Sequence, residues 1–270
     1  MSTLDKWLQT AADQVFRAAG TAARDELAHD RHGGGIVALV RQAQQMTDQI
    51  IRQVMERGPA SHRPACQAGC AACCHLHVVA TPPEVIAIAH HVQDQWGHQR
   101  LTDLQHKINH HIQQTSHIDA VARRQLRTPC PFLTAGHCDI HPVRPISCRG
   151  WNSLDRQICD SDLANPTHGT STPVNLPQYV LAGRIAEGLS AASHALGLES
   201  PQLDFVRGMQ IALQNPEGVA SAWRAAAPVF AEAENDQVFP PLADPDEKQA
   251  RQRLWESLSF QFNNKLNARQ

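Results

Sequence analysis

Apolar residues in the N-terminal part of the chain recur at helical rather than alternating spacing. Trp7, Leu8, Ala11, Ala12, Val15 and Phe16 share one face, with Ser2 or Thr3 available as an N-cap. Gly33-Gly34-Gly35 interrupts, and a second stripe follows through Ile36, Leu39, Val40, Ala43, Met46, Ile50 and Val54. It stops at Gly58-Pro59, a helix-terminating pair. The two stretches predict an antiparallel helical pair. Beyond them, Thr81-Pro82-Pro83-Glu84 has the form of a capping box with prolines in the first turn. The helix it opens carries Val85, Ile86, Ile88, Ala89 and Val92 and ends near Gly97, and another is expected from Leu101 to about Gln125.

The pattern then changes. Thr128 to Arg149 is punctuated by Pro129, Pro131, Gly136, Pro142 and Pro145, which predicts irregular chain with short extended pieces at most. Helical periodicity returns from Asn175, through Tyr179, Val180, Ile185, Ala186, Leu189 and Ala192 to Gly197. Short helices are expected after Ser200 and Asn215, a linker over residues 238–247, and a last helix from about Asp246 to Phe262. The expected fold is therefore mainly α, with helices packed around an irregular, loop-rich, cysteine-bearing centre. Its divisions are a helical pair over residues 1–58, the cysteine-cluster segment over 59–162 and a helical region over 163–270, forming one compact unit.

Composition narrows what such a fold does. Aromatics make up 5% of the 270 residues, so Ala, Leu, Ile and Val must supply most of the core. The net charge of −2 gives no electrostatic case for nucleic acid or an anionic membrane. The first residues show no secretory signal and no stretch reaches membrane-spanning length. A cytoplasmic setting with reduced thiols is the expectation. A protein partner remains open.

All eight cysteines lie between residues 66 and 159: Cys66, Cys70, Cys73 and Cys74 in one cluster, then Cys130, Cys138, Cys148 and Cys159. Structural disulfides need an oxidising compartment, and adjacent cysteines bridge each other only through a strained ring. A redox dithiol at Cys70-x2-Cys73 would leave six cysteines unexplained. Thiolate coordination of zinc or an iron–sulfur cluster accounts for the spacing. The Cys73-Cys74 doublet fits poorly with one mononuclear ion, because adjacent side chains diverge. The doublet therefore favours a polynuclear cluster, two nearby metals, or one ligand beside a bystander, and leans the choice toward iron–sulfur. Arg144 and Arg149 flank the second group and are candidates to offset thiolate charge. His75, His77, His137 and His141 lie beside cysteines, where outer hydrogen bonding or exposure is the expected role. His106 and His110 fall on a solvated helix face. The stripe at Leu254, Leu258 and Leu266 is expected to pack in the core.

Cys-x3-Cys-x2-Cys-Cys, then Cys130-Pro131-Phe132-Leu133, Gly136-x-Cys138-x-Ile140 and Arg144-Pro145-x2-Cys148-Arg149, resembles the YkgJ-type cysteine-cluster family of bacterial proteins. The resemblance covers about Cys66 to Cys159. It implies zinc or iron chelation, with the eight cysteines as the metal ligands. His141 stands where many members carry an aromatic. Some flagellin lysine methylases contain a related cluster associated with iron–sulfur chemistry, yet no Gly-x-Gly loop for a methyl donor occurs here. Three readings stand: a metal-binding protein, a metal-dependent redox or protein-modifying enzyme, and a helical interaction protein with a structural zinc. No catalytic residue is identifiable.

Overall fold

The computed structural model describes residues 3–29, 34–116, 118, 120–166 and 172–235. The first apolar stripe folds as α1 (Thr3–His29), which buries Ala12, Phe16, Ala19, Ala23 and Leu27. Trp7, expected in that stripe, is 49% exposed instead. The second stripe is α2 (Gly34–Arg57). The main neighbour of α1 is not α2 but α8 (Leu176–Ala195), so the expected pair is part of a larger packing of helices from both ends of the chain.

The capping box forms as expected and opens α3 (Pro82–Gln95). The single helix expected from Leu101 to Gln125 is two helices, α4 (His98–Thr115) and α5 (Ala120–Gln125). The break follows Ser116, whose backbone is extended and whose Oγ donates to Ile112 O at 2.6 Å, satisfying a carbonyl at the end of α4. Val79–Ala80 (β1) pairs antiparallel with Leu203–Asp204 (β4), in the register Val79↔Asp204 and Ala80↔Leu203. Between them lie β2 (Leu133–Thr134), β3 (His137–Cys138), α6 (Ile146–Gly150) and α7 (Arg156–Ala164). After β4 come α9 (Phe205–Ala212) and α10 (Pro216–Arg224), capped by Asp204 and Asn215 side chains. The fold is mainly α. The last expected helix, the linker at 238–247 and the Leu254, Leu258 and Leu266 stripe lie outside the described residues.

Ile36, Leu39, Val85, Ile88, Ile108, Ile185, Leu189, Met209 and Trp223 belong to one buried apolar cluster. Phe132, Ile140 and Ile146 join it from the cysteine-bearing segment. Phe132 is fully buried, with ring centroids 6.2 Å from Trp96 and 5.6 Å from Phe205. This anchor fixes the loop that carries Cys130. Close approach fixes α6: a Cβ on Gly150 would lie 2.5 Å from Ala182 Cβ on α8. The absence of a side chain there lets α6, which carries Cys148, pack closely on α8.

Candidate metal centre

Cys70 N donates to Gln67 O (3.0 Å), Cys74 N to Ala71 O (2.9 Å) and Leu76 N to Cys73 O (3.2 Å). Cys73 and Cys74 consequently share one 3-10 turn, Ala72–His75. Side chains on such a turn diverge by about 120° per residue, yet the two thiols hydrogen-bond each other. The turn packs against α7, which carries Cys159. Ser153 joins these pieces: its carbonyl accepts from Ala65 N (2.8 Å) and lies 4.0 Å from Cys66 Sγ, and its side chain hydrogen-bonds Cys159.

The second group hangs from the first by a backbone bond, Cys130 N to Cys74 O at 2.8 Å. From there β2 and β3 form a two-residue hairpin pairing Leu133 with Cys138. Its turn residues Ala135 and Gly136 have φ of 49° and 79°, the doubly left-handed pattern of a tight hairpin. Cys148 follows on α6, whose first amide, Ile146 N, donates to Glu84 Oε1 at 2.7 Å. Glu84 also accepts from Thr81 N and Thr81 Oγ1, so one buried carboxylate fixes both the start of α3 and the start of α6.

All eight cysteines are free thiols, and only Cys66 is exposed. Burial pushes the Cys130 thiol up to about 12 and raises Cys148 well above the ordinary range. The hydrogen bond from Cys74, with burial, raises Cys73. Cys66, Cys138 and Cys159 are raised mainly by burial. Among the described residues, no three His, Cys, Asp or Glu side chains are gathered into a ready-formed metal site. The donor chemistry nevertheless fits zinc or iron: thiols from distant segments are brought near one another with no disulfide to consume them.

The family model CxxCxxCC, described as "Putative zinc- or iron-chelating domain", matches residues 65–162. The match spans every cysteine of the chain, so this segment is similar to that domain. No curated protein and no solved structure matches the chain.

Within this segment the two arginines have separate roles. Arg149 is buried, and its guanidinium turns away from the thiols: Nη1 donates to both carboxylate oxygens of Asp48 (2.8 and 2.7 Å), Nε to Arg144 O (3.2 Å) and Nη2 to Pro142 O. It therefore fixes the 142–144 loop against α2, where Gln44 Nε2 also donates to Val143 O (2.9 Å). Arg144 is the guanidinium that faces the thiols, and its charge opposes the rise at Cys73, Cys138 and Cys148. Buried Asn152 and Asn175 complete the frame, with Asn175 N donating to Asn152 Oδ1 at 2.7 Å. None of Glu84, Asp48, Gln44, Asn152 or Asn175 was expected from sequence to bear on the site. The available signal was Gln44, Thr47 and Asp48 continuing the inner face of α2 at helical spacing.

The histidines take outer positions. His75 Nδ1 lies 3.2 Å from Ala71 O, and His141 Nδ1 lies 3.2 Å from Arg144 Nη1. His137 sits exposed on β3, and His110 pairs with Gln114 on the surface of α4. His77 enters a buried polar chain. Its Nε2 is 3.1 Å from Asp204 Oδ2, Arg123 Nη2 is 4.0 Å from the same oxygen, and Arg123 Nη2 is 3.4 Å from His111 Nε2. His111 Nδ1 donates to Pro129 O at 3.1 Å, bracing the residue before Cys130. Burial pushes Asp204 up, but His77, the α9 amides and Arg123 outweigh it and hold the carboxyl below its usual range. A small pocket beside Cys130 is lined by these same groups.

Proposed function

We propose that this protein chelates zinc or iron through cysteine thiolates of residues 66–159, with Cys66, Cys70, Cys73, Cys74, Cys130, Cys138, Cys148 and Cys159 as the donor pool. The observation carrying this reading is the convergence of free, mostly half-buried thiols from three separated stretches on a frame of helices. Half-buried thiols gain little from solvent and here form no disulfide, so a bound cation is the partner that would offset them as thiolates. When bound, the metal would supply cross-linking between those stretches.

A chelating role is favoured over a catalytic one by the surroundings of Cys130. The pocket there is bounded by the His77–Asp204–Arg123–His111 chain, whose hydrogen bonds and ion pairs join those groups to one another and to backbone. Such a chain rigidifies the loop and leaves little polar capacity for a substrate. Anaerobically purified protein is expected to carry stoichiometric metal. Colour with iron and acid-labile sulfide identifies a cluster; colourless protein with zinc identifies the other ion; metal-free protein that takes up neither overturns the proposal.

A further inference from the structure

Resting on that chelating function, we infer that the eight cysteines form two four-thiolate centres, one built on Cys66, Cys70 and Cys159 and the other on Cys130, Cys138 and Cys148, each completed by one member of the Cys73–Cys74 doublet. Backbone geometry draws the division. Cys66 and Cys159 both meet Ser153, the first at its carbonyl and the second at its side chain. Cys70 lies in the turn leading to Ala72–His75, the turn that packs on the helix bearing Cys159. On the other side, Cys130 leads into the hairpin that carries Cys138, and both pack against the hydrophobic core. Cys148 lies on α6, which is held by Ile146 N on Glu84 and by Ser147 Oγ donating to Val79 O at 2.6 Å.

Mutual electrostatics follow the same line. Cys159 feels the charges of Cys66 and Cys70, and Cys66 that of Cys70; Cys148 feels Cys130 and Cys138, and Cys130 feels Cys138. Among the thiols whose fields are resolved, only Cys73 acts on both groups. Each group holds three thiols, one short of a tetrahedral sulfur set, and the doublet supplies two. Its 3-10 turn sits at the joint, with Cys74 O receiving Cys130 N.

The test is Co(II) titration of the full chain, reduced and anaerobic, read by thiolate-to-cobalt charge-transfer absorption. Two tetrathiolate equivalents per chain are expected. Cys159→Ser and Cys148→Ser should each retain one equivalent, and the double variant none. Circular dichroism checks that each variant is folded, and Cys70→Ser and Cys138→Ser repeat the comparison from the other segment of each group. A single equivalent in the unaltered chain overturns the division and leaves chelation standing. So does loss of all binding in each folded single variant. Failure of the unaltered chain to bind cobalt at all overturns the chelating function itself, and the division with it.

Discussion

Arg144 and Arg149 stand five positions apart, and the structure separates what each contributes. The field of Arg144 favours the thiolate forms of Cys73, Cys138 and Cys148 against burial. Without it those thiols hold their protons to higher pH, and protons compete with metal. Arg144→Met is therefore expected to move the midpoint of Co(II) uptake to higher pH, measured by absorbance across a pH series; an unchanged midpoint contradicts this role. Arg149 acts on structure. A lysine there cannot reproduce the paired bond to Asp48 together with those to Pro142 O and Arg144 O. Because Asp48 is 41% exposed, much of the ion-pair energy is screened. Arg149→Lys should cost about 2 kcal/mol, mostly through unsatisfied buried carbonyls, read from urea unfolding. Glu84 gives a pH signature. Burial raises its carboxyl above the ordinary 4.5, so between that value and the raised one the folded chain keeps a proton that the unfolded chain has released. Stability falls as pH rises through that window. Glu84→Gln should flatten this slope in urea midpoints compared across the acid range.

At the scale of elements, α6 shows how small a helix suffices to present a ligand. Its five residues are held by Glu84 at one end and by Gly150 against Ala182 at the other. Gly150→Ala should force α6 from α8 at about 1–3 kcal/mol, and Ala182→Gly in the same chain should recover part of it; thermal unfolding of both measures this. The neighbouring elements also show what sequence made legible. The capping box at Thr81 to Glu84 and the helix starts after Asn175 and Asn215 are local signals, and the structure contains them as expected. The break between α4 and α5 was not legible, because the chain there stays polar and helix-compatible while Ser116 ends α4 through its own side chain. The pairing of β1 with β4 joins residues too distant for any local pattern to register. The partners of the seam residues Gln44 and Asp48 were not legible, since Val143 O and Arg149 lie far along the chain.

For the whole molecule, the cysteine spacing and the motifs around it marked out the segment that the family model matches. Spacing alone could not show that α1 packs chiefly on α8, nor which thiols neighbour which. Most of the large buried side chains belong to the helical frame. Metal removal should accordingly leave the far-ultraviolet helical signal mostly intact while opening residues 60–76 and 126–145 to protease, checked by limited proteolysis with and without chelator. Collapse of the helical signal would show instead that the metal holds the entire fold.

The bond from Ile146 N to Glu84 spans 62 residues, and that from Arg149 to Asp48 spans 101. Contacts of such separation form late, because loop closure must precede any gain from them, whereas helices form quickly. The frame that gathers the cysteines is thus assembled after the cysteines have been synthesised. During that interval the thiols are accessible and unshared, so metal acquisition competes in time with their oxidation.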